Sequence, residues 1–382
     1  MSASQARSVA SVGLPSIRVV EIDLVDARVS SKTVWSFLRI RGADSEEGVG
    51  EASLMSDPGS LAMVLPAFRQ QMLGQPLAAA LRCALDTPRP TMAHAALASA
   101  FEQAHWDLAG RVLGRSAVDL LDHPRHAQVP LYANINRRTI DRSPAAVAKS
   151  AQEAARAAYT RFKFAPFDGL TPAIADSVEG IAKIDDGIAR IAAMREALGP
   201  SADIYVDCHW RFSPRSAVRA IEALEALGVS WFECPLVEDA SNVRDIAALR
   251  RTANRHGMRL AGLEALRGRD AFAPWLAAAA YDVVMPDVKY CGGMAELLDI
   301  AADADRQGVQ CAPHNPSGPV SHAASVIAAA HLPGAVLLEH QWDETPWFYD
   351  LVGDSLPRPV DGITRVPDAP GLGTRLVAQP AG

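Results

Sequence analysis

Six short apolar runs, each ending in a charged or titratable residue, decide the fold of this chain: IYVD (204–207), SWFE (230–233), LAGLE (260–264), VVMPD (283–287), QCAPH (310–314) and VLLE (336–339). Their last residues follow one another about 23 to 31 positions apart, which is the length of a strand followed by a helix. In a (β/α)8 barrel the C-terminal ends of all strands meet at one mouth, where the chemistry takes place. The runs therefore predict a parallel barrel with an active site at its mouth.

Two earlier runs of the same kind, VPLYANIN (129–136) and YTRFKFAP (159–166), bring the number of predicted strands to eight. Most of the runs are separated by alanine-rich amphipathic stretches that end in glycine, as helices commonly do. The predicted fold class is α/β, a (β/α)8-type TIM barrel. Eight such units close a barrel, whereas five or six would suggest an open Rossmann sheet. No GxGxxG motif follows the first strand, so a dinucleotide site has no support.

The rest of the chain suggests a second domain. We predict a flexible N-terminal tail over 1–15, an α+β capping domain over 16–128, the barrel over 129–346, and a C-terminal segment over 347–382 that packs back on the capping domain. The capping domain is inferred from two β-rich runs followed by two long helical stretches.

Composition excludes several classes of protein. The chain has 382 residues and a formal net charge of −7, which gives no basic face for binding nucleic acid. No uninterrupted apolar stretch approaches the roughly 20 residues that a membrane helix needs. The five cysteines have neither CxxC pairs nor regular spacing, as expected of a reduced, cytoplasmic protein. We expect neither nucleic acid nor a membrane as a partner.

Three consecutive strands end in carboxylates, namely Asp207, Glu233 and Glu264. Three monodentate carboxylates with waters form an oxygen-only site, which suits Mg²⁺ better than Zn²⁺. Without a cation these groups would repel one another at a crowded barrel mouth. A single strand-end acid often caps the following helix, but three in succession favour a metal site.

The next two strands end in Asp287 and His314. Adjacent strands lie about 4.8 Å apart, so the carboxylate can accept one imidazole N–H and hold the other ring nitrogen toward the mouth. This arrangement predicts an oriented general base.

The chain resembles the enolase superfamily, in its mandelate racemase group, over nearly its whole length. The matching pieces are GVGEAS (48–53), AFEQAHWDLAGRVLG (100–114), the three carboxylates, the Asp–His pair and Glu339 on the eighth strand. The resemblance implies that one Mg²⁺ per subunit binds the substrate carboxylate, that a base removes the α-proton, and that the metal and nearby donors stabilise the enediolate. It also implies that Glu339 hydrogen-bonds a carboxylate oxygen, which requires a protonated or proton-sharing Glu339 in the complex. A symmetric homo-oligomer is expected as well.

Residues on the second and third strands narrow the reaction that the resemblance implies. Racemases of this group carry Lys-x-Lys on the second strand, with the second lysine as a base opposite the histidine, whereas this chain has Lys163-Phe164-Ala165. The missing base argues against simple racemisation, and Lys163 is expected to be an electrostatic partner of the carboxylate or enediolate. His209, two residues after Asp207, should share its face of the strand. It resembles the histidine with which sugar-acid dehydratases protonate the departing β-hydroxyl.

The predicted reaction is therefore the dehydration of an aldonate or aldarate to a 2-keto-3-deoxy acid. Trp210 and Arg211 are candidates to line the polyol pocket, and Arg211 is available to a second carboxylate. Asn134 and Asn136 are candidates to bind hydroxyl groups, and Asp168 to stand in for the missing lysine. Two alternatives remain open: an epimerase, racemase or lactone cycloisomerase that uses the same intermediate, and a barrel that binds metal or sugar without turnover.

Overall fold

A computed structural model describes residues 17–30, 33–44, 46–54, 57–121 and 123–377. The predicted N-terminal tail, 1–15, lies outside these residues. Within them the strands form two sheets, one of three antiparallel strands and a larger one built mainly of parallel strands.

The N-terminal part of the chain is a small antiparallel sheet covered by helices. Strands β1 (Val19–Arg28), β2 (Val34–Gly42) and β3 (Glu47–Glu51) pair in sequence order, and they are followed by helices α1 (Pro58–Met72), α2 (Leu77–Asp86), α3 (Met92–Leu113) and α4 (Ala117–Leu120). Helix α3 begins where the Thr91 side chain accepts the N–H of His94. It ends at Gly114, whose φ of 63° is the left-handed conformation that favours glycine. Sheet and helices share one apolar core, so the predicted α+β architecture is confirmed.

Eight parallel strands follow and alternate with helices. The strands are β4 (Gln128–Asn134), β5 (Arg161–Phe164), β6 (Asp203–Asp207), β7 (Val229–Glu233), β8 (Arg259–Gly262), β9 (Val283–Val284), β10 (Gln310–Cys311) and β11 (Leu338–Gln341). The α-helices between them are α5 (Pro144–Arg156), α6 (Val178–Leu198), α7 (Pro214–Glu225), α8 (Val243–Arg255), α9 (Ala273–Ala277), α10 (Met294–Asp305) and α11 (Pro319–Ala330), and short 3₁₀ helices cover Arg269–Ala271 and Asp350–Ser355.

These strands form a curled sheet of TIM-barrel type. Each strand from β4 to β9 pairs with the next, and β11 pairs with β4. Each of the eight predicted runs overlaps one strand, so the predicted fold class is confirmed. None of the helices in the described ranges is long and apolar enough to cross a membrane.

The barrel has one seam, between β10 and β11, where the described chain forms no backbone ladder. Side chains join the two strands there. The Gln310 amide donates to Ala335 O at 3.0 Å, and Asn315 donates to Glu339 from its backbone N–H at 2.9 Å and from its side-chain amide at 3.0 Å. Glu339 therefore helps to close the barrel.

Inside the barrel an apolar layer lies beneath a charged one. The apolar layer is a separate buried cluster made up of Tyr132, Tyr205, Trp231, Ala261, Val283, Met285, Ala312 and Leu337. Side chains two apart on a strand share a face, so Asp207 follows Tyr205 and Glu233 follows Trp231 into the interior. The apolar cluster thus packs directly beneath the charged residues of the mouth.

Strand β3 and helix α3 dock the N-terminal layers onto the barrel. A Cβ atom at Gly50 would lie 1.9 Å from Ala100 O, so the close approach of β3 to α3 requires glycine in the GVGEAS motif. Glu102 of α3 accepts two backbone N–H groups at the start of α10, at 2.9 and 3.0 Å. Glu51 of β3 accepts two more at the start of α11, both at 2.8 Å. Buried acids therefore cap two barrel helices from outside the barrel.

The C-terminal segment contacts both parts of the molecule. The rings of Trp347 and Phe348 lie against Trp35 of β2, with centroids 5.6 and 5.5 Å away, and the N–H of Leu372 donates to Asp107 of α3 at 2.9 Å. In addition, strand β12 (Ile363–Arg365) pairs antiparallel with the first half of β4. That contact with the barrel has no signal in the sequence pattern.

Candidate active site

Three carboxylates from successive strands meet at the barrel mouth. Asp207 and Glu233 are the last residues of β6 and β7 and lie opposite each other in the register. One oxygen of each, and one of Glu264, lie within 4.8 Å of one another. Glu264 stands three residues after the interior residue Ala261, so strand alternation alone would point it outward. The left-handed conformation of Leu263, with φ of 75°, turns the chain and brings Glu264 back to the mouth.

The oxygens of this acidic triad are suited to a bound cation. Glu233 Oε2 and Glu264 Oε2 are buried and accept no hydrogen bond in the described chain. Burial, with the neighbouring Asp207 charge adding to it, raises the pKa of both groups, that of Glu264 to about 8. Oxygen donors without histidine or cysteine are the set that hard divalent cations prefer. The triad therefore fits a metal ion, which would bind the oxygens that lack a hydrogen bond and offset the repulsion between the three carboxylates.

Lys163 of β5 lies between the triad and Glu339. Its buried Nζ is 2.6 Å from Glu233 Oε1, 2.8 Å from Glu339 Oε1 and 3.9 Å from Asp207 Oδ2. Burial alone would lower the pKa of this lysine, but Glu233 and Glu339 raise it well above its usual value. Burial would likewise raise the pKa of Glu339, but Lys163 lowers it. Both groups are therefore charged in the absence of substrate, and proton sharing by Glu339 in the complex stays a prediction.

His314 and Asp287 are hydrogen-bonded beyond the ends of β10 and β9. His314 Nδ1 lies 2.8 Å from Asp287 Oδ2, and His314 Nε2 lies 3.4 Å from Glu264 Oε2. Burial would raise the pKa of Asp287, but Lys289 and His314 lower it. An ionised Asp287 fixes the ring proton on Nδ1 and leaves Nε2 directed at the triad.

Lys289 is a residue of this site that sequence reasoning missed. Its buried Nζ donates to Asp287 Oδ2, the oxygen that also binds His314, and its backbone N–H donates to Oδ1 at 2.8 Å. A lysine two residues after an acid is too common a pattern to have indicated this role.

His209 reaches the mouth through a turn. Strand β6 ends at Asp207, and both His209 (φ 49°) and Trp210 (φ 57°) are left-handed, so the strand alternation used in the prediction does not operate here. His209 Nε2 nevertheless lies 2.9 Å from Asp207 Oδ2, and the backbone N–H of His209 donates to Oδ1 at 3.1 Å. Burial would lower the pKa of His209, but Asp207 raises it, which favours the charged imidazolium.

The other predicted substrate-binding residues are divided between two cavities. Trp210 and Asn136 line the cavity that Asp207 and Glu264 also line. Arg211 donates to a backbone carbonyl at 2.6 Å, and Asp168 accepts the Nε–H of Arg142 at 2.8 Å, both at a neighbouring cavity. The structure thus brings Asp168 together with Arg142 and not with Lys163.

Asp207 and Glu264 of the triad line one cavity together with His209 and His314, and its volume of about 680 Å³ is typical of small-molecule sites. The N-terminal layers supply part of its wall, through Leu54, Asp57, Ser60, Met63, Val64, Thr91, Met92, Ala93 and His94. The wall residues on α1 and α3 occupy ordinary positions of amphipathic helices, so no sequence signal distinguished them. The barrel contributes Lys163, Asp207 and Glu264 to the lining, and the wall from the N-terminal layers mixes five apolar residues with four polar or charged ones.

Several enzymes of known name resemble the chain in sequence. A D-gluconate dehydratase of Thermoproteus tenax is 31% identical over 279 residues, which is 73% of this chain and 54% of that enzyme. A D-gluconate/D-galactonate dehydratase of Picrophilus torridus is 30% identical over 277 residues, which is 72% of this chain and 67% of that enzyme. The chain thus spans about half to two thirds of the length of these curated relatives.

A solved structure matches nearly the whole chain, and a family model matches more than half of it. The crystal structure of a mandelate racemase/muconate lactonizing enzyme from Jannaschia sp. CCS1 superposes with a TM-score of 0.81 at 25% identity, over 94% of this chain and 95% of that one. The family described as enolase C-terminal domain-like matches residues 146–379, a range that includes the triad, His209 and His314. Because this match covers more than half of the chain, the protein belongs to that family and, with it, to the enolase superfamily.

Proposed function

We propose that this chain is a Mg²⁺-dependent dehydratase of acid sugars, a carbon–oxygen lyase that forms a 2-keto-3-deoxy acid. The observation that carries the proposal is the position of two histidines beside the acidic triad. His314 Nε2 lies 3.4 Å from Glu264, and His209 Nε2 lies 2.9 Å from Asp207. Elimination of water needs a base for the α-proton and an acid for the leaving hydroxyl, and both rings line one cavity. The two sequence relatives are named as dehydratases of D-gluconate and of D-gluconate/D-galactonate, which agrees with this reaction.

The acidic triad would hold the ion, one per subunit. When bound, Mg²⁺ would act as a Lewis acid toward the substrate carboxylate and make the α-proton more acidic. Lys163 adds a second positive charge, because its buried ammonium lies at the mouth between Glu233 and Glu339. That charge stabilises the negative charge that develops on the carboxylate as the α-proton leaves.

His314 is the proposed base. Its Nδ1 proton is held by Asp287 at 2.8 Å, so Nε2 carries a free lone pair directed into the cavity. Nε2 takes the α-proton, and the electron pair of the C–H bond begins the new carbon–carbon double bond. Ionised Asp287 stabilises the imidazolium that results.

His209 is the proposed acid. Its contact with Asp207 raises its pKa against the effect of burial, which favours the protonated ring that an acid needs. As the bond from the β-carbon to its hydroxyl breaks, the oxygen keeps the electron pair, takes the proton from His209 and leaves as water. The enol that remains tautomerises to the 2-keto-3-deoxy acid.

The alternative of epimerisation or racemisation has less support from this geometry. It needs an acid or base on the face opposite His314, and the second-strand position that would carry one is Ala165. Asp168, the candidate substitute, is bonded to Arg142 and lines the neighbouring cavity. A lactone cycloisomerase shares the α-proton step, so the two reactions must be separated by their products.

A screen of aldonates and aldarates with Mg²⁺ tests the proposal. We expect 2-keto acid, detected with semicarbazide, from at least one acid sugar. Exchange of the α-proton in D₂O without keto acid would favour an epimerase or cycloisomerase. Neither signal across a broad set of acid sugars would overturn the dehydratase and favour a barrel that only binds.

Two variants assign the histidines. His314→Asn should lower both α-proton exchange and keto acid formation by about 10²- to 10⁴-fold, the usual contribution of a general base. His209→Asn should lower keto acid formation while exchange stays measurable. His256→Asn is the matched control, because His256 is bonded to Glu225 in an exposed contact between the ends of α8 and α7. An active His314→Asn variant would contradict the assignment of the base.

A further inference from the structure

A second cavity adjoins the metal cavity and is rich in arginine. Its volume is about 850 Å³, and Asn136, Arg137 and His209 line both cavities, so the two adjoin at these residues. Five arginines line this arginine cavity: Arg28, Arg137, Arg138, Arg142 and Arg211. The acids that line it number three: Asp168, Asp343 and Glu344. The lining therefore carries a net positive charge.

The acids are already engaged. Each is bonded to a different arginine: Asp168 to Arg142 at 2.8 Å, Asp343 to Arg138 at 2.8 Å and Glu344 to Arg137 at 3.3 Å. These three ion pairs account for the structural use of three arginines, as links between the loops at the barrel mouth.

Two guanidinium groups remain without an acid of their own. Arg211, in the loop after β6, donates to Phe167 O at 2.6 Å and lies 4.0 Å from Asp168, which Arg142 already holds. The side chain of Arg28, exposed at the end of β1, has no hydrogen bond or ion pair with any described residue. A structural role explains the three paired arginines but not Arg28.

We infer that the substrate carries a second anionic group at the end remote from the reacting carboxylate, and that Arg28 and Arg211 bind it. The inference rests on the proposed function and specifies the substrate class as a dianion. The planar guanidinium binds carboxylate and phosphate alike through paired, charge-assisted hydrogen bonds. An aldarate and a phosphorylated aldonate share this chemistry, whereas the neutral terminal hydroxyl of an aldonate leaves both guanidinium groups without an anion.

Arg28 also explains how the N-terminal layers contribute to recognition. Arg211 belongs to the barrel and Arg28 to the N-terminal sheet, so the second anion would be held between the two parts of the molecule. Arg137, at the junction of the two cavities, is bonded to Glu344. We therefore expect the second anionic group of the substrate to bind in the arginine cavity, past Arg137 as seen from the acidic triad and next to Arg28.

Binding to the Mg²⁺-loaded His314→Asn variant tests the inference without turnover. Calorimetric titration would compare gluconate with glucarate and 6-phosphogluconate, and galactonate with galactarate. We expect at least one dianion to bind about tenfold or more tightly than its matched monoanion, with the gain shrinking at high ionic strength. Tighter binding of glucarate or galactarate would identify the second group as a carboxylate, and tighter binding of 6-phosphogluconate would identify it as a phosphate. Equal affinities within both series would overturn the inference.

Substitution of Arg28 tests the assignment. In the same background, Arg28→Gln should reduce the ratio of dianion to monoanion affinity by about tenfold, and Arg28→Lys should restore part of it. Arg251→Gln, at an exposed arginine on α8, should leave the ratio unchanged. A ratio that Arg28→Gln does not change would overturn the role of Arg28.

The two proposals fail in different ways. Keto acid formation from aldonates together with equal binding of mono- and dianions would leave the dehydratase standing and overturn the dianion. Tighter binding of a dianion without keto acid from any acid sugar would support the dianion site and overturn the dehydratase.

Discussion

Two sets of buried carboxylates differ in how their oxygens are satisfied. Where the N-terminal layers meet the barrel, Glu51 and Glu102 each accept two backbone N–H groups at the start of a barrel helix, together with one side-chain donor. At the mouth, one oxygen of Glu233 and one of Glu264 accept no hydrogen bond from the described chain. Both sets lie in the sequence as single acids beside apolar residues.

The interface acids and the mouth acids are all buried, but they differ in the hydrogen-bond donors that surround them. Burial raises the pKa of Glu102 to about 7 and that of Glu264 to about 8. Helix N-terminal N–H groups stabilise an anion that stays in place. An unsatisfied buried oxygen instead costs about 1–3 kcal/mol unless a ligand completes it. The interface acids are therefore expected to hold the fold together, and the mouth acids to hold the ion.

The largest effect should come from substituting an acid at the mouth. Glu264→Gln removes one anionic ligand, so Mg²⁺ affinity should fall by about 100-fold or more, beyond the 10- to 100-fold loss typical of a residue that only supports a ligand. Calorimetric titration with Mg²⁺ measures this. Glu102→Gln is the matched control and should bind Mg²⁺ like the parent. Unchanged affinity in Glu264→Gln would mean that the triad is not the metal site.

Removing an interface acid should destabilise the protein and leave its Mg²⁺ affinity unchanged. Glu102→Ala leaves two helix N–H groups and the Trp106 indole without their acceptor, so the free energy of unfolding should fall by about 3 kcal/mol. Urea unfolding measures the loss, and Mg²⁺ titration should show unchanged affinity. Glu179→Ala, at an exposed acid in the first turn of α6, should change stability by less than about 0.5 kcal/mol. A loss of Mg²⁺ affinity in Glu102→Ala would erase the distinction between the sets.

The period of the strands explains how much of this could be predicted from the sequence. Tyr205 and Asp207, like Trp231 and Glu233, are two residues apart, and both members of each pair face the barrel interior. Alternation on eight runs therefore sufficed for the fold and for the positions of these two carboxylates.

Features that depend on turns or on distant elements could not be predicted. Leu263 and His209 adopt left-handed conformations without being glycine or asparagine, so nothing in the sequence marked the turns that bring Glu264 and His209 to the mouth. The contact of Lys289 with Asp287, and the position of Arg28 at the arginine cavity, depend on which other elements face them. Residue type and spacing do not carry that information.

The smallest expected effect is in the pH dependence of stability, which also distinguishes the mouth acids from the interface acids. Glu264 and Glu102 both have a folded pKa above the ordinary value of 4.5, so each binds its proton more tightly in the folded state. The stability that each contributes is fully present below pH 4.5 and is lost as the pH rises, up to about 7 for Glu102 and about 8 for Glu264.

Between pH 7 and pH 8 the metal-free protein should therefore lose about 1 kcal/mol of unfolding free energy through Glu264, because one group titrating over one pH unit changes it by up to about 1.4 kcal/mol. Glu264→Gln should abolish this loss, and so should saturating Mg²⁺, because a metal binds the ionised carboxylate. Glu102→Gln should keep it. Urea unfolding at the two pH values, with EDTA or with Mg²⁺, provides the measurement. A loss of undiminished size in Glu264→Gln would mean that the unsatisfied oxygen of Glu264 is not what makes the mouth sensitive to pH.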